Sequence, residues 1–177
     1  DPACNQNDGP GTCLEPITNG IGVHRGDTTN AASSLEPECT LGSDGREIVY
    51  SAIFDETTMV CATTSGSEFD TVLYVRSACA DPAAEVACDD DGGDGNSSEV
   101  EFEAVAGTEY FFVIDGYSSA HYGAYTFNLR DQGCQANLLN DGCQSPVTAQ
   151  VGTASGQNSD SGAVHESPEC GGSGAEI

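Results

Sequence analysis

Glu99-Val-Glu-Phe-Glu-Ala-Val105 is the stretch that decides the fold of this chain. Its glutamates alternate with apolar residues, and the side chains therefore repeat with a period of two. That period belongs to a β-strand with one face in water and the other face against a core. The stretch predicts a strand at the surface of an antiparallel sheet.

Six further runs of the same kind lie on both sides of this stretch. They are short, rich in β-branched or aromatic residues, and bounded by turn-forming residues. The runs are Ile48–Phe54, Met59–Thr63, Phe69–Val75, Glu85–Cys88, Tyr110–Ile114 and Ala124–Leu129. One or two more strands are expected in the turn-rich N-terminal part. Because no run has helical periodicity, the sequence predicts an all-β fold, an antiparallel β-sandwich.

The charge balance is strongly acidic. The net charge is −25, and four arginines are the only cations apart from histidine. Nucleic acids need a basic footprint and anionic membranes attract basic segments, so neither is an expected partner. No apolar run is long enough to span a bilayer. Such a surface suits divalent cations, a salty habitat or solubility, and the scattered carboxylates are interpreted as serving solubility.

A sequence repeat divides the chain. Cys134-Gln-Ala-Asn-Leu-Leu-Asn-Asp-Gly-Cys143 matches the frame of Cys4-Asn-Gln-Asn-Asp-Gly-Pro-Gly-Thr-Cys13 at an offset of 130 (134 − 4). Further on, Ser167–Cys170 matches Glu36–Cys39 after one inserted residue. We interpret 1–132 as one complete unit and 133–177 as the first third of a second, tandem copy. That third is too short to bury a core alone.

The chain has nine cysteines and no zinc-type spacing of Cys or His. This usage is typical of a disulfide framework in an oxidising compartment, and the expected location is extracellular or the cell surface. Short loops favour the pairs Cys4–Cys13 and Cys79–Cys88, which would leave Cys39 for Cys61, although six cysteines admit about fifteen connectivities. Cys170, the counterpart of Cys39, would have its partner beyond Ile177. The cysteines expected in disulfides are Cys4, Cys13, Cys39, Cys61, Cys79, Cys88, Cys134 and Cys143.

Four blocks of sequence carry a family resemblance. They are Ser67–Cys79, Ala87–Asp91, Ala106–Tyr117 and Gly123–Leu129, within residues 45–130. Together they resemble the bacterial pre-peptidase C-terminal (PPC) domain family, and Gly26-Asp-Thr28 resembles its tandem-repeat variety from large secreted proteins. The resemblance implies a jelly-roll-like β-sandwich without catalytic residues, which helps to bind substrate, assists secretion or acts as a spacer. Collagenase relatives bind calcium, but their ligand motif has no match here.

The best candidate site is the acidic loop Asp89-Asp-Asp-Gly-Gly-Asp-Gly-Asn-Ser-Ser98. Strand direction predicts that Asp70 and Asp115 lie at the same end of the sandwich. Crowded carboxylates repel one another, and calcium accepts irregular shells of oxygen ligands. Gly93 at the fifth position excludes an EF-hand. The predicted calcium ligands are Asp70, Asp89, Asp90, Asp91, Asp94 and Asp115; the alternative is an exposed hairpin whose aspartates cap turns.

Local signatures of catalysis are missing from the sequence. His24, His121 and His165 lie in turn-like stretches, and no metalloprotease, nucleophile-elbow or phosphate-loop motif occurs. The protein is therefore not expected to be an enzyme, although a triad assembled in space stays open. Arg25-Gly26-Asp27 is the tripeptide that integrins read, but Ser155-Gly-Gln157 replaces it in the second copy. We interpret it as a chance match.

Two functions are compatible with these observations. The first is a non-catalytic extracellular repeat module that packs head to tail with other copies of itself into a cell-surface stalk or filament. The alternative is an accessory domain that holds protein or polysaccharide substrate for a secreted hydrolase.

Overall fold

The structure is a computed structural model that describes residues 9–18, 20–40 and 42–134. Within these ranges the chain forms nine strands and a short 3-10 turn at Pro82–Ala84. The strands are β1 Ile17–Thr18, β2 Gly22–Asp27, β3 Ile48–Ile53, β4 Thr58–Thr63, β5 Thr71–Arg76, β6 Glu85–Asp89, β7 Glu99–Ala104, β8 Glu109–Gly116 and β9 Ala124–Arg130.

The strands form two sheets. One has five strands in the order β1-β3-β8-β5-β6, and the other has four in the order β2-β9-β4-β7. Every pairing is antiparallel except that of β1 with β3. All seven runs predicted from the sequence are strands, with ends shifted by at most two residues, and two more strands precede them. The prediction of an antiparallel all-β sandwich is confirmed.

The main core fills the space between the two sheets. Aromatic rings dominate it, with Phe127 in contact with Tyr50 and Phe112 at centroid separations of 5.0 and 5.7 Å. The buried hydroxyls of Tyr50 and Tyr125 lie 2.8 Å apart, so each finds a polar partner inside the core. β7 has the predicted alternation, with its apolar side chains buried and Glu101 and Glu103 exposed.

A second apolar layer lies on the outer face of the five-stranded sheet. Val49, Val72, Tyr74 and Val113 form it, and Cys13 and Leu35 from the N-terminal part pack against it. All six residues of β5 are consequently buried. The irregular N-terminal part thus covers this face, which the sequence alone did not predict.

The disulfide pairing differs from the expected one. The bonds are Cys13–Cys79, Cys39–Cys88 and Cys61–Cys134, whereas loop length favours Cys4–Cys13 and Cys79–Cys88 and leaves Cys39 for Cys61. The physical reason is that the N-terminal part covers the outer face of the five-stranded sheet. Cys13 and Cys39 therefore lie close to β5 and β6. On the chain-entropy model, loops of 49 to 73 residues contribute about 4 kcal/mol each.

The third bond follows from the register of the four-stranded sheet. Cys61 in β4 is opposite Arg130 in β9, and the chain continues from there to Cys134. Cys4, Cys143 and Cys170 lie outside the described residues, as does the second copy beyond Cys134. In the part of the chain that the structure describes, no helix is long and apolar enough to cross a membrane.

Candidate metal site

The acidic loop connects β6 to β7 at one end of the sandwich. β5 and β6 are antiparallel neighbours, with Leu73 opposite Asp89, and this pairing returns the loop to Asp70 just before β5. Carboxylate oxygens of Asp70, Asp90 and Asp91 lie within 4.8 Å of one another. The structure therefore brings together three of the six predicted ligands.

Two oxygens of this group lack a hydrogen-bond partner. They are Oδ1 of Asp70 and Oδ1 of Asp90, and both atoms are buried. The other oxygen of Asp70 accepts a hydrogen bond from Nδ2 of Asn96 at 3.1 Å. Burial raises the pKa of Asp90, and the charges of Asp91, Asp70 and Asp89 raise it further. An all-oxygen donor set with unpartnered atoms fits a hard divalent cation such as calcium.

Asp89 and Asp94 lie outside the group of three. Oδ2 of Asp89 accepts hydrogen bonds from the backbone N–H of Gly92 and of Glu99, each at 2.8 Å. This is the turn-capping role of the alternative interpretation. Asp94 lines a shallow cleft beside the loop, and its backbone carbonyl accepts a hydrogen bond from Ser97 Oγ at 2.9 Å.

Buried hydroxyls fix the end of the loop to the β4–β5 connection. The hydroxyl of Ser98 lies 2.7 and 2.9 Å from the carbonyl oxygens of Thr71 and Asp90, which share its one hydrogen. Thr64 Oγ1 lies 2.6 Å from Thr71 Oγ1 and accepts a hydrogen bond from Ser98 N–H at 2.8 Å. The backbone at Asp90 is therefore positioned by polar groups that are themselves satisfied.

Asp115 lies in a different cluster, which corrects its predicted role as a ligand. It is 0% exposed, and alternation along β8 places it on the outer face of the five-stranded sheet. Its oxygens accept hydrogen bonds from Gly116 N–H at 2.7 Å and Tyr74 hydroxyl at 3.5 Å. Burial, followed by the charge of Glu47, raises its pKa to about 8.

Glu47 was missed by the sequence analysis. It is only 3% exposed, and its Oε1 accepts hydrogen bonds from Ser34 N–H, Ser34 Oγ and Leu35 N–H at 2.8, 2.6 and 3.1 Å. Burial raises the pKa of Glu47, and its Oε2 has no partner. The sequence gives no signal for this position because glutamate is ordinarily exposed.

A buried ion pair was also missed. Arg76 and Glu85 meet at 3.4 Å, with side chains 2% and 4% exposed. Arg76 also donates to the carbonyls of Cys79 and Glu36, while Glu85 accepts a hydrogen bond from Glu38 N–H at 3.1 Å. The pair therefore fastens the N-terminal part that covers the sheet, at Glu36 and Glu38, to β5 and β6. Arg76, a single arginine at the end of the apolar run Thr71–Val75, is the one feature of the sequence that indicated a buried ion pair.

The histidines of the described ranges make turn and packing contacts. His24 Nε2 lies 2.8 Å from the carbonyl of Gly20, and its ring packs against Tyr50. His121 Nδ1 lies 3.0 Å from Ser118 Oγ within one turn. No carboxylate within the described part of the chain forms a hydrogen bond with either ring, so these contacts do not form a triad. His165 lies outside these ranges.

Packing accounts for the Arg-Gly-Asp tripeptide. It lies in β2, an edge strand that pairs with β9. A Cβ atom at Gly26 would overlap the hydroxyl of Tyr125, so the core requires glycine there. Asp27 accepts a hydrogen bond from Thr29 N–H at 2.7 Å. Local structure thus explains both residues without a receptor.

Comparisons with known proteins found distant structural similarities. No protein-family model matches the chain, and no curated protein matches it. The chain is similar to the pre-peptidase C-terminal domain of collagenase from Bacillus anthracis, with 15% identity and a TM-score of 0.45 over 64% of this chain and 93% of that chain. It is also similar to PliG of Aeromonas hydrophila, a periplasmic inhibitor of g-type lysozyme, with 12% identity and a TM-score of 0.39 over 64% and 95%. The first of these carries the name of the family that the four sequence blocks resemble, while the assignment as a sandwich rests on the strand pairing described above.

Proposed function

We propose that this protein is a non-catalytic, extracellular structural module that packs head to tail with other copies into a stalk or filament. The observation that carries the proposal is the Cys61–Cys134 disulfide. In the sequence repeat, Cys134 is the counterpart of Cys4 and so the first cysteine of the second copy. It is nevertheless bonded to β4 of the leading sandwich. The bond thus ties the residue at which the sequence repeat restarts to the leading sandwich.

Contacts around this bond hold the outgoing chain on the four-stranded sheet. Cys61 is fully buried, and Arg130 Nη2 lies 3.0 Å from its sulfur. The backbone N–H of Cys134 donates to the carboxylate of Glu101 in β7. A chain fixed at Cys134 leaves the sandwich at a defined point, whereas a flexible linker does not. The same bond at each junction of a tandem array would give a stalk with a regular repeat.

Negative-stain electron microscopy of the full chain, with and without calcium, tests assembly. We expect rods with a constant axial repeat for the parent protein, and irregular or shorter assemblies for the C61A/C134A double variant. The C39A/C88A variant is the matched control, since that bond lies away from the exit. Isolated particles of the parent protein at every concentration would contradict the proposal.

We also propose that Asp70, Asp90 and Asp91 hold a calcium ion at the end of the sandwich. The support is the approach of their oxygens to within 4.8 Å and the two buried atoms without a partner. A bound cation would remove the mutual repulsion of these carboxylates, and its binding to the folded state alone would stabilise that state.

Titration calorimetry tests the ion. We expect heat of binding for the parent protein and none for a D90N/D91N variant, with D131N as a control acid outside the cluster. Calcium at about 100 times its dissociation constant should raise the free energy of unfolding of the parent protein by about 2.7 kcal/mol. Absence of heat from the parent protein excludes the site.

A groove beside β1 and the end of β3 favours the alternative function, an accessory domain that binds a protein substrate. It has a volume of about 750 Å³, and Ile21 and Ile53, which are 49% and 61% exposed, lie in its wall beside four carboxylates. β1 pairs with Tyr50 and Ser51, and Gly11 accepts a hydrogen bond from Val49 N–H at 2.9 Å. Within the described ranges this leaves the end of β3, Ala52 and Ile53, without a paired strand on that side. An extended basic peptide could add to this edge as a strand.

Calorimetry with alternating Lys-Val and Glu-Val peptides tests the groove. We expect binding of the basic peptide only, and its loss in I53D. Equal affinity for both peptides, or no affinity for either, would exclude the alternative.

A further inference from the structure

The disulfides provide covalent shortcuts through the sandwich. A force applied to the chain on both sides of the module enters at Cys13 and leaves at Cys134. It crosses to Cys79 through the first bond and reaches Cys134 from Cys61 through the third bond. The only backbone between the two bonds runs from Cys61 to Cys79. That path is 18 residues long (79 − 61), compared with 121 residues (134 − 13) along the backbone.

We propose that the module is a load-bearing link whose extension under tension is limited by its disulfides to the segment from Cys61 to Cys79. The inference deepens the proposed function, because a stalk or filament supplies the load. The strands outside this segment can separate from their sheets without lengthening the link. A module without these bonds would extend to several times the length.

The loaded segment is also the centre of the fold. It contains the second half of β4, which lies between β9 and β7, and all of β5, which lies between β8 and β6. Both strands therefore have hydrogen-bonded neighbours on two sides, and every residue of β5 is buried. Extension of the link requires removal of these strands from both sheets at once.

The connection between β4 and β5 is restrained as well. Thr64 and Thr71 share a hydrogen bond of 2.6 Å, and Ser98 donates to the carbonyl of Thr71 from the neighbouring loop. All three residues are fully buried. The backbone between the two load-bearing bonds is thus held by strand pairing at its ends and by buried hydroxyls at its middle.

The third disulfide, Cys39–Cys88, is not on the shortest path. Its removal leaves the route through Cys79 and Cys61 unchanged. Its loss therefore provides a matched control in which one bond is deleted without a change in the length under load. Deletion of either other bond changes that length by a defined amount.

Single-molecule force spectroscopy on the full chain, with handles at its two ends, tests the inference. At up to 3.6 Å per residue, the segment between Cys13 and Cys134 should extend to about 65 Å in the parent protein and in C39A/C88A. In C13A/C79A the shortest path has 48 residues (61 − 13), and in C61A/C134A it has 55 (134 − 79). The expected lengths are about 170 and about 200 Å. The flanking residues contribute equally in all four proteins.

A measurement without variants covers the case in which a double variant does not fold. The parent protein held under tension in a thiol reductant should lengthen in further steps, towards about 440 Å for the whole path. Full extension of the oxidised parent protein, or lengthening in C39A/C88A, would overturn the inference. So would equal lengths in all four proteins, which would indicate a bond that bypasses the module. The force measurement uses a single chain and does not depend on assembly. A limited extension of that chain, together with no filaments in electron microscopy, would contradict the proposed stalk and still support the load-bearing link.

Discussion

The buried acid Asp115 should make this protein more stable at low pH than at neutral pH, and D115N should remove most of that dependence. In the fold the pKa of Asp115 is raised from 3.8 to about 8 by burial and then by the charge of Glu47. Between about pH 4 and pH 8 the folded protein therefore holds a proton that the unfolded chain has released. Stability is fully present below the unfolded pKa and is lost as the pH rises through the folded pKa.

The size of the pH effect on stability follows from the one proton that the folded protein holds on Asp115 and the unfolded chain has released. The free energy of unfolding should fall by about 1.4 kcal/mol per pH unit, or about 2.7 kcal/mol between pH 5 and pH 7. Asparagine is neutral throughout this range, so D115N should lack this contribution. Glu47, whose pKa burial also raises, contributes to the slope of both proteins, and the difference between them reports Asp115 together with its coupling to Glu47.

Equilibrium unfolding in guanidinium chloride at pH 5, 6 and 7, with the disulfides intact and followed by circular dichroism, measures the effect. E109Q is the matched control, because Glu109 is an exposed carboxylate on the same strand. We expect the parent slope in E109Q and a flatter slope in D115N. Identical slopes in the parent protein and D115N would refute the reasoning.

Two further substitutions test the packing. R76M should lower the free energy of unfolding by about 3–5 kcal/mol, because it leaves the buried Glu85 carboxylate unpaired, and a double variant R76M/E85L should recover much of the loss in urea melts. An R76M protein as stable as the parent would show that the pair does not fasten the cover. G26A should cost about 1–3 kcal/mol, because its methyl group would overlap the hydroxyl of Tyr125. G20A, at a position open to solvent, is its control and should melt like the parent protein.

The strands could be predicted because their signal is local. The alternation in β7 and the turn residues around each run depend only on neighbours in the sequence. What the runs did not reveal is that one sheet is covered on both faces. The sign was present in β5, where Thr71 to Arg76 lacks polar alternation, which is typical of strands buried on both sides.

The predicted disulfide pairing was wrong for a related reason. Loop length favours near neighbours in the sequence, but the outer apolar face of the five-stranded sheet draws the N-terminal part across it. Cys13 and Cys39 therefore meet partners just after β5 and on β6 that are 66 and 49 residues away. Pairing of this kind depends on topology, which spacing does not encode.

The candidate site was predicted in part. Antiparallel direction correctly placed Asp70 beside Asp90 and Asp91. Direction gives the end of a strand but not its face, and Asp115 points to the outer face with Tyr74. Asp89 was predicted as a ligand, but two backbone N–H groups occupy one of its oxygens.

The part of the N-terminal cover at residues 28–40 has a consequence for the lifetime of the protein among proteases. Irregular stretches are usually where proteases cut, since a peptide must leave its surroundings to enter an active site. Here residues 28–40 are bonded to β6 through Cys39, and Ser34 and Leu35 are held by the carboxylate of Glu47. Among the described residues, this irregular stretch is thereby protected from cleavage, and digestion should begin instead at exposed hairpins such as the one at Val105.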